Sequence, residues 1–124
     1  MIRWEKVIPL NPKTKKNNGR IVKGKGGKPF LLPSSDFSKY QTECGMYLSD
    51  ENQNIQEPVN VQAVYYRATR HKVDLANLHE ALLDILVHYH ILQDDNANIV
   101  VSMDGSRVFY DPSNPRTEIS IQGV

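Results

Sequence analysis

The chain has 124 residues, enough for one domain with a core of its own and too few for a multidomain enzyme. Hydrophobic residues make up 40% and charged residues 23%, ordinary globular usage that excludes collagen, coiled coil and wholesale disorder. The net charge of +1 conceals a division: residues 1–30 carry nine Lys/Arg against Glu5 alone, a local +8, and residues 31–124 carry six against thirteen Asp/Glu, a local −7. Such a dipole suits a polyanion held by one part while carboxylates act in the other, with a solvated basic tail as the plainer reading.

The single Cys44 rules out an internal disulfide or a Cys-based zinc site and reads as a small buried apolar residue. No apolar run approaches the ~18 residues of a membrane span. The start, Met1-Ile-Arg-Trp-Glu, has no apolar leader region, so the sequence predicts a cytoplasmic protein without a membrane partner.

Ile2 to Leu10 reads as a first strand stopped by Pro9. Residues 11–29, with Lys13, Lys15, Lys16, Lys23, Lys25 and Lys28 among four glycines and three asparagines, predict a mobile basic loop or hairpin. Gly24 to Pro29 is no phosphate loop, because Val22 and Pro29 stand where Walker A needs Gly and Ser/Thr. Phe30 to Leu32 is a second strand. Ser34, Ser35 and Asp36 then cap an amphipathic helix whose apolar residues are Phe37, Tyr40, Cys44, Tyr47 and Leu48.

Val59 to about Thr69 alternates as a strand, and Val64 makes its second face apolar enough for a central place in a sheet. Asp74 to His90 is the second helix, with Leu75, Leu78, Leu82, Ile85, Leu86 and Tyr89 in one stripe. Ile99 to Met103 and Arg107 to Tyr110 read as partners in a hairpin around Asp104-Gly105, and Thr117 to Ile121 as a last strand. The predicted fold is a single α+β domain, a mixed β-sheet packed against two main helices on one side.

Asp74, Asn77, Ala81, Asp84 and His88 share one edge of the second helix, and Asp94-Asp95 follow in the turn after it. Mg²⁺ and Mn²⁺ take oxygen ligands of this kind, often one or two carboxylates completed by water and substrate phosphates. The plainer reading makes Asp74 an N-cap and Asp94-Asp95-Asn96 a solvated turn. His79-Glu80 is no zincin motif, because Leu83 stands where the second His belongs; His71, His79 and His90 read as surface residues. Cys44 has no local partner for nucleophilic catalysis, and no GxSxG elbow is present.

The segment Lys72-Val-Asp-Leu-Ala-Asn-Leu-His-Glu-Ala-Leu-Leu-Asp-Ile-Leu, followed by Ile91-Leu-Gln-Asp-Asp, resembles the core of the RusA-type Holliday-junction resolvases. The family pattern matches without a gap at Asp74, Asn77, Leu78, Asp84, Leu86, Asp94 and Asp95. Pro9, Asn11, Lys15, Lys16 and Asn17 resemble its N-terminal strand and loop, and Asp104-Gly-Ser-Arg-Val with Asn114-Pro-Arg-Thr-Glu-Ile resembles a phage-borne branch. The resemblance implies a homodimeric endonuclease that nicks two opposed strands of a four-way DNA junction with Mg²⁺, or Mn²⁺ in its place. It implies Asp74, Asp95 and Asp94 as metal ligands.

Two positions depart from the family: Ala76 stands where a second Asp is common, and Glu80 where a catalytic Lys is. Positions 76 and 80 lie one above the other on a helix, so Glu80 can return a carboxylate to the site and joins Asp74 and Asp95 as a catalytic candidate. A Lys from the basic arm, Lys15 or Lys16, is the candidate for the missing cation. Lys13, Lys15, Lys16, Lys23 and Lys25, with Arg70 and Lys72 before the helix, are the expected DNA contacts. The alternatives are a junction-binding protein of the same fold with impaired catalysis, and an interaction module in which arm and acidic edge pair across a dimer.

Overall fold

The computed structural model describes residues 2–15, 20–23, 25–27, 29–32 and 35–124. Strand β1 is Arg3–Ile8; a two-stranded ribbon follows, β2 (Arg20–Lys23) antiparallel to β3 (Pro29–Leu32), with a 3₁₀ turn at Lys25–Gly27. The basic stretch thus contains a hairpin strand, which the brief apolar pair Ile21-Val22 barely announces. Helix α1 spans Ser35–Leu48, strand β4 Val59–Arg67 and helix α2 Leu75–His88; β5 (Val100–Ser102), β6 (Arg107–Tyr110) and β7 (Arg116–Gly123) complete the chain.

β4 is central. On one side β7 pairs with it antiparallel and carries β1 antiparallel at its far edge; on the other side β5 and β6 both pair with β4 in parallel. The expected hairpin between β5 and β6 does not form. β5 takes the start of β4, with Val59 opposite Val100, and β6 its end, with Val64 to Arg67 opposite Arg107 to Tyr110.

Side chains fix that arrangement. Asn60 Oδ1 accepts the hydroxyl of Ser102 at 2.6 Å and the backbone N–H of Asp104 at 2.7 Å, Asn60 Nδ2 donates to the Asp104 carbonyl at 3.2 Å, and Ser106 Oγ accepts the Ala63 N–H at 3.0 Å. Groups of β4 therefore hold the Asp104-Gly105 turn that a hairpin would have used. Gly105, at φ +84, turns the chain in the left-handed region and lies against the Gln62 side chain.

The sheet has two unlike faces. Val59, Val61, Ala63 and Tyr65 alternate with half-buried Asn60, Gln62, Val64 and Tyr66, and β7 buries Thr117, Ile119 and Ile121 in step. Onto the buried face α1 sets Phe37, Tyr40, Cys44 and Leu48, and α2 sets Leu78, Ala81, Leu82, Ile85 and Leu86, in one hydrophobic core. The helices meet closely at Gly45: a Cβ there would stand 2.7 Å from Tyr89 Oη, which donates to the Gln41 carbonyl at 2.6 Å.

Helix α2 is shorter than the apolar stripe suggests, because His90 adopts φ +60. The Ile91 N–H reaches back to the Leu86 carbonyl at 2.9 Å and the His90 N–H to that of Val87 at 3.1 Å, a Schellman closure sealed by buried Leu86 and Ile91. Gln93 N–H then bonds the Ile55 carbonyl at 2.9 Å, folding residues 91–93 beside residue 55. Among the described residues, no helix is long and apolar enough to cross a membrane.

Candidate functional site

The sequence-predicted carboxylates fall on α2 and the turn that follows its reversal. Asp74 takes the N-cap position, and its carbonyl accepts the N–H groups of Asn77 and Leu78, yet its side chain makes no capping hydrogen bond. Among the described residues, the exposed carboxylate meets the Asn77 amide, at a marginal 3.5 Å. Capping therefore does not account for an acid at this position.

Asp94 and Asp95 differ sharply. Asp94 Oδ1 accepts the Asp95 N–H at 2.8 Å and Oδ2 accepts the Asn96 amide at 3.0 Å, so both oxygens shape their own turn. The bond from the Asp95 N–H, followed by that from Asn96, holds the Asp94 carboxyl below its usual range. Asp95, though exposed, moves the other way: desolvation by its neighbours comes first, then a hydrogen bond with Asp94 and the negative charges of Asp94 and Asp84. A carboxylate crowded by like charges gains from a cation beside it.

A cation is already at this edge. Lys15 Nζ donates to Asp84 Oδ2 in an ion pair that spans 69 residues of sequence. The hydrogen bond to Asp84 raises the Lys15 pKa, and Asp84, Glu80 and Asp95 add electrostatic attraction to it. Lys15 is placed there by a packed stretch of backbone: the Ala68 N–H donates to Asn11 Oδ1 at 2.9 Å, and Pro12 and Thr14 are buried. Sequence spacing cannot show so long-range a pair, although Lys15 is one of the two arm lysines singled out above for the missing cation.

Among the described residues, no three His, Cys, Asp or Glu side chains come together closely enough to hold an ion by themselves. Asp74, Asp94 and Asp95 thus form no ready-made cage. The donor set nevertheless fits Mg²⁺ or Mn²⁺, which bind through one or two carboxylates and leave the remaining positions to water and phosphate. The ammonium of Lys15 beside Asp84 shows that this edge accommodates positive charge.

The expected DNA contacts lie on several separate elements. Lys13 lies toward α1 in a cavity shared with Asp36, Lys39, Tyr40 and Glu43. Lys16 lies outside the described residues, and Lys23 and Lys25 are placed by their backbone, on β2 and in the 3₁₀ turn. Lys72 is exposed just before α2, and the Arg70 guanidinium stacks 3.9 Å from the ring centroid of Tyr110. Sequence reasoning missed the aromatic group beside Arg70, where Tyr66 stacks on Phe109 at 5.5 Å and the Arg116 guanidinium lies 3.7 Å from the Tyr66 centroid.

His79 is not the surface residue its position suggested. It is half buried, with Nδ1 2.7 Å from the Tyr65 hydroxyl, and burial lowers its pKa. Cys44 is fully buried, and desolvation pushes its thiol up to about 12, which leaves it no role as a nucleophile at neutral pH.

A family model described as Endodeoxyribonuclease RusA matches residues 9–122, from the residue after β1 to the last residue but one of β7. No curated protein matches the chain.

Proposed function

Because the chain belongs to the RusA endodeoxyribonuclease family, we propose that it is a Mg²⁺-dependent endonuclease that resolves four-way DNA junctions by paired, symmetric nicks. The observation that carries the reading is the acidic edge of α2, to which the chain returns Asp95 and against which it sets Lys15 of the basic N-terminal segment. One element of the site favours a cation and the other a phosphate.

In this reading Asp74 and Asp95 hold the ion, Asp94 builds the turn that presents Asp95, and Glu80 adds negative charge at the middle of the edge. A divalent ion bound there, with Mn²⁺ able to replace Mg²⁺, supplies Lewis acidity to the phosphodiester under attack. Lys13, Lys15, Lys16, Lys23, Lys25, Arg70 and Lys72 bind the phosphate backbone, and their charge draws DNA to an otherwise acidic body. A homodimer accounts for paired cuts, since a two-fold protein presents two equivalent sites to a pseudo-symmetric junction.

Ala76 and Glu80, where the family commonly carries an Asp and a Lys, favour a second reading, a junction-binding protein without cleavage. One assay separates the two. Immobile and mobile four-way junctions are incubated with wild type and Asp95→Asn, with and without Mg²⁺, and the products are mapped on sequencing gels. Symmetric nicks that require both Mg²⁺ and Asp95 establish the resolvase. Tight junction binding without cleavage in Mg²⁺ or Mn²⁺ establishes the second reading.

A further inference from the structure

We propose that Lys15 is a catalytic residue of this site: its ammonium, held by Asp84 before DNA arrives, passes to a non-bridging oxygen of the phosphate under attack. The inference rests on the endonuclease reading above and assigns a group within it.

The first argument is position. Lys15 sits on the chain segment just after β1, fixed by the Asn11–Ala68 hydrogen bond at 2.9 Å and by burial of Pro12 and Thr14. Only its side chain has to move for the ammonium to leave Asp84, so the cation is delivered from a packed backbone. Lys13, two residues earlier, lies toward α1 instead, in the cavity with Asp36 and Glu43.

The second argument is charge. Asp84 accepts the hydrogen bond from Lys15, while Glu80 and Asp95 attract the same ammonium from a distance. The pair joins side chains that are 34% and 38% exposed, so water screens it and little stability depends on keeping it. A phosphate oxygen at the edge competes with Asp84 on favourable terms.

The third argument is what the reaction needs. Negative charge grows on the phosphoryl oxygens during hydrolysis, and a positioned donor is most useful where that charge develops. Lys15 stays protonated throughout and donates hydrogen bonds, not its proton. Asp84 holds it beforehand and takes no part in the reaction itself.

The test is single-turnover cleavage of a four-way junction at saturating Mg²⁺ and protein, with wild type, Lys15→Ala, Lys15→Arg and Asp84→Asn. Calorimetric titration of each protein with Mg²⁺ alone accompanies it. Lys15→Ala is expected to slow cleavage about 100-fold, the loss typical of one transition-state donor, while junction affinity changes by less than about threefold. Lys15→Arg restores most of the rate. Asp84→Asn breaks the same ion pair but leaves the ammonium, and is expected to keep at least about a third of the rate. With its local competitor gone, Lys15→Ala binds Mg²⁺ alone several-fold tighter, whereas a merely structural clasp leaves that affinity unchanged or weaker.

Equal losses in Lys15→Ala and Asp84→Asn would make the pair a clasp between segment and helix and overturn the inference. So would a Lys15→Ala rate equal to wild type, which leaves the endonuclease reading standing. A wild type that does not cleave removes both.

Discussion

Asn60, near the start of β4, holds Asp104 by both ends of its peptide recognition face, accepting from the Asp104 N–H at 2.7 Å and donating to the Asp104 carbonyl at 3.2 Å. The same Oδ1 also takes the Ser102 hydroxyl, so one amide side chain satisfies three groups 42 and 44 residues away. Asn60→Ala is expected to destabilise the protein by about 2 kcal/mol, the loss of several hydrogen bonds with some partners left unsatisfied. Urea unfolding measures it. A change under about 0.5 kcal/mol would mean that water replaces the amide at no cost and that backbone pairing alone keeps β5 and β6 on β4.

His90 ends α2 in the left-handed region at φ +60, where a side chain other than glycine is strained. Its N–H bonds the Val87 carbonyl and would do so equally from glycine. His90→Gly is therefore expected to raise stability by about 0.5–1 kcal/mol, the relieved strain less the greater freedom of glycine in the unfolded chain. His90→Ala keeps the Cβ and is expected to give no such gain, so the difference between the two variants in urea isolates the backbone effect.

His79 sets a pH dependence. Burial lowers its pKa in the folded state, where its Nδ1 faces the Tyr65 hydroxyl at 2.7 Å. With Nδ1 unprotonated, Tyr65 donates to it. Below the unfolded value of about 6.5 the unfolded chain binds more protons at this position than the folded one, so stability falls as pH drops through that value. His79→Gln removes the titration. The stability gap between wild type and His79→Gln, followed by urea unfolding from pH 7.5 down to pH 5, is expected to shift steadily against wild type; a constant gap would show that His79 titrates normally.

Much of the fold was legible because it follows local periodicity. The two-residue alternation of Val59 to Tyr65 and the three-and-four spacing of Leu78, Leu82, Ile85 and Leu86 each mark a buried face, and the structure buries those residues. The partnership of β5 and β6 was not legible, since Asp104-Gly105 signals a turn equally well within an edge or between hairpin strands. Asn60 decides between them, and its reach across 44 residues leaves no local pattern.

The site divides in the same way. Its acids and their spacing stand in the sequence, whereas the difference between Asp94 and Asp95 depends on which carboxylate faces which N–H. Lys15 shared with Lys16 the candidacy for the missing cation, and it is the packing of the backbone from Asn11 to Thr14 that brings Lys15 to Asp84.

Salt dependence tests the DNA contacts outside the acidic edge. Each lost phosphate contact lowers the log–log slope of duplex affinity against salt by about 0.9. Lys13→Ala, Arg70→Ala and Lys72→Ala together are expected to lower it by roughly 2–3 in binding isotherms taken across salt. Arg70→Ala also exposes the Tyr110 ring that the guanidinium covers, so Arg70→Lys serves as the control that keeps the charge and loses the stacking. A triple variant with the wild-type slope would place the bound phosphates elsewhere, on the β2–β3 ribbon and its lysines.

The last prediction separates two neighbouring acids. Asp94 engages both oxygens inside its own turn, and asparagine can accept the Asp95 N–H through its amide oxygen as aspartate does. Asp94→Asn is therefore expected to keep cleavage within about fivefold of wild type, whereas Asp94→Ala, which loses the turn's hydrogen bonds, is expected to lower urea stability measurably. Asp95 carries an exposed carboxylate, hydrogen-bonded with Asp94 and set among the negative charges of Asp94 and Asp84. Asp95→Asn removes the charge that attracts the ion, and cleavage is expected to fall at least about 1,000-fold with little change in urea stability. Mn²⁺ is not expected to restore it, because the lost group is a ligand and not a preference among ions. If Asp94→Asn proves as inactive as Asp95→Asn, both carboxylates bind the ion and the turn must open to release Asp94.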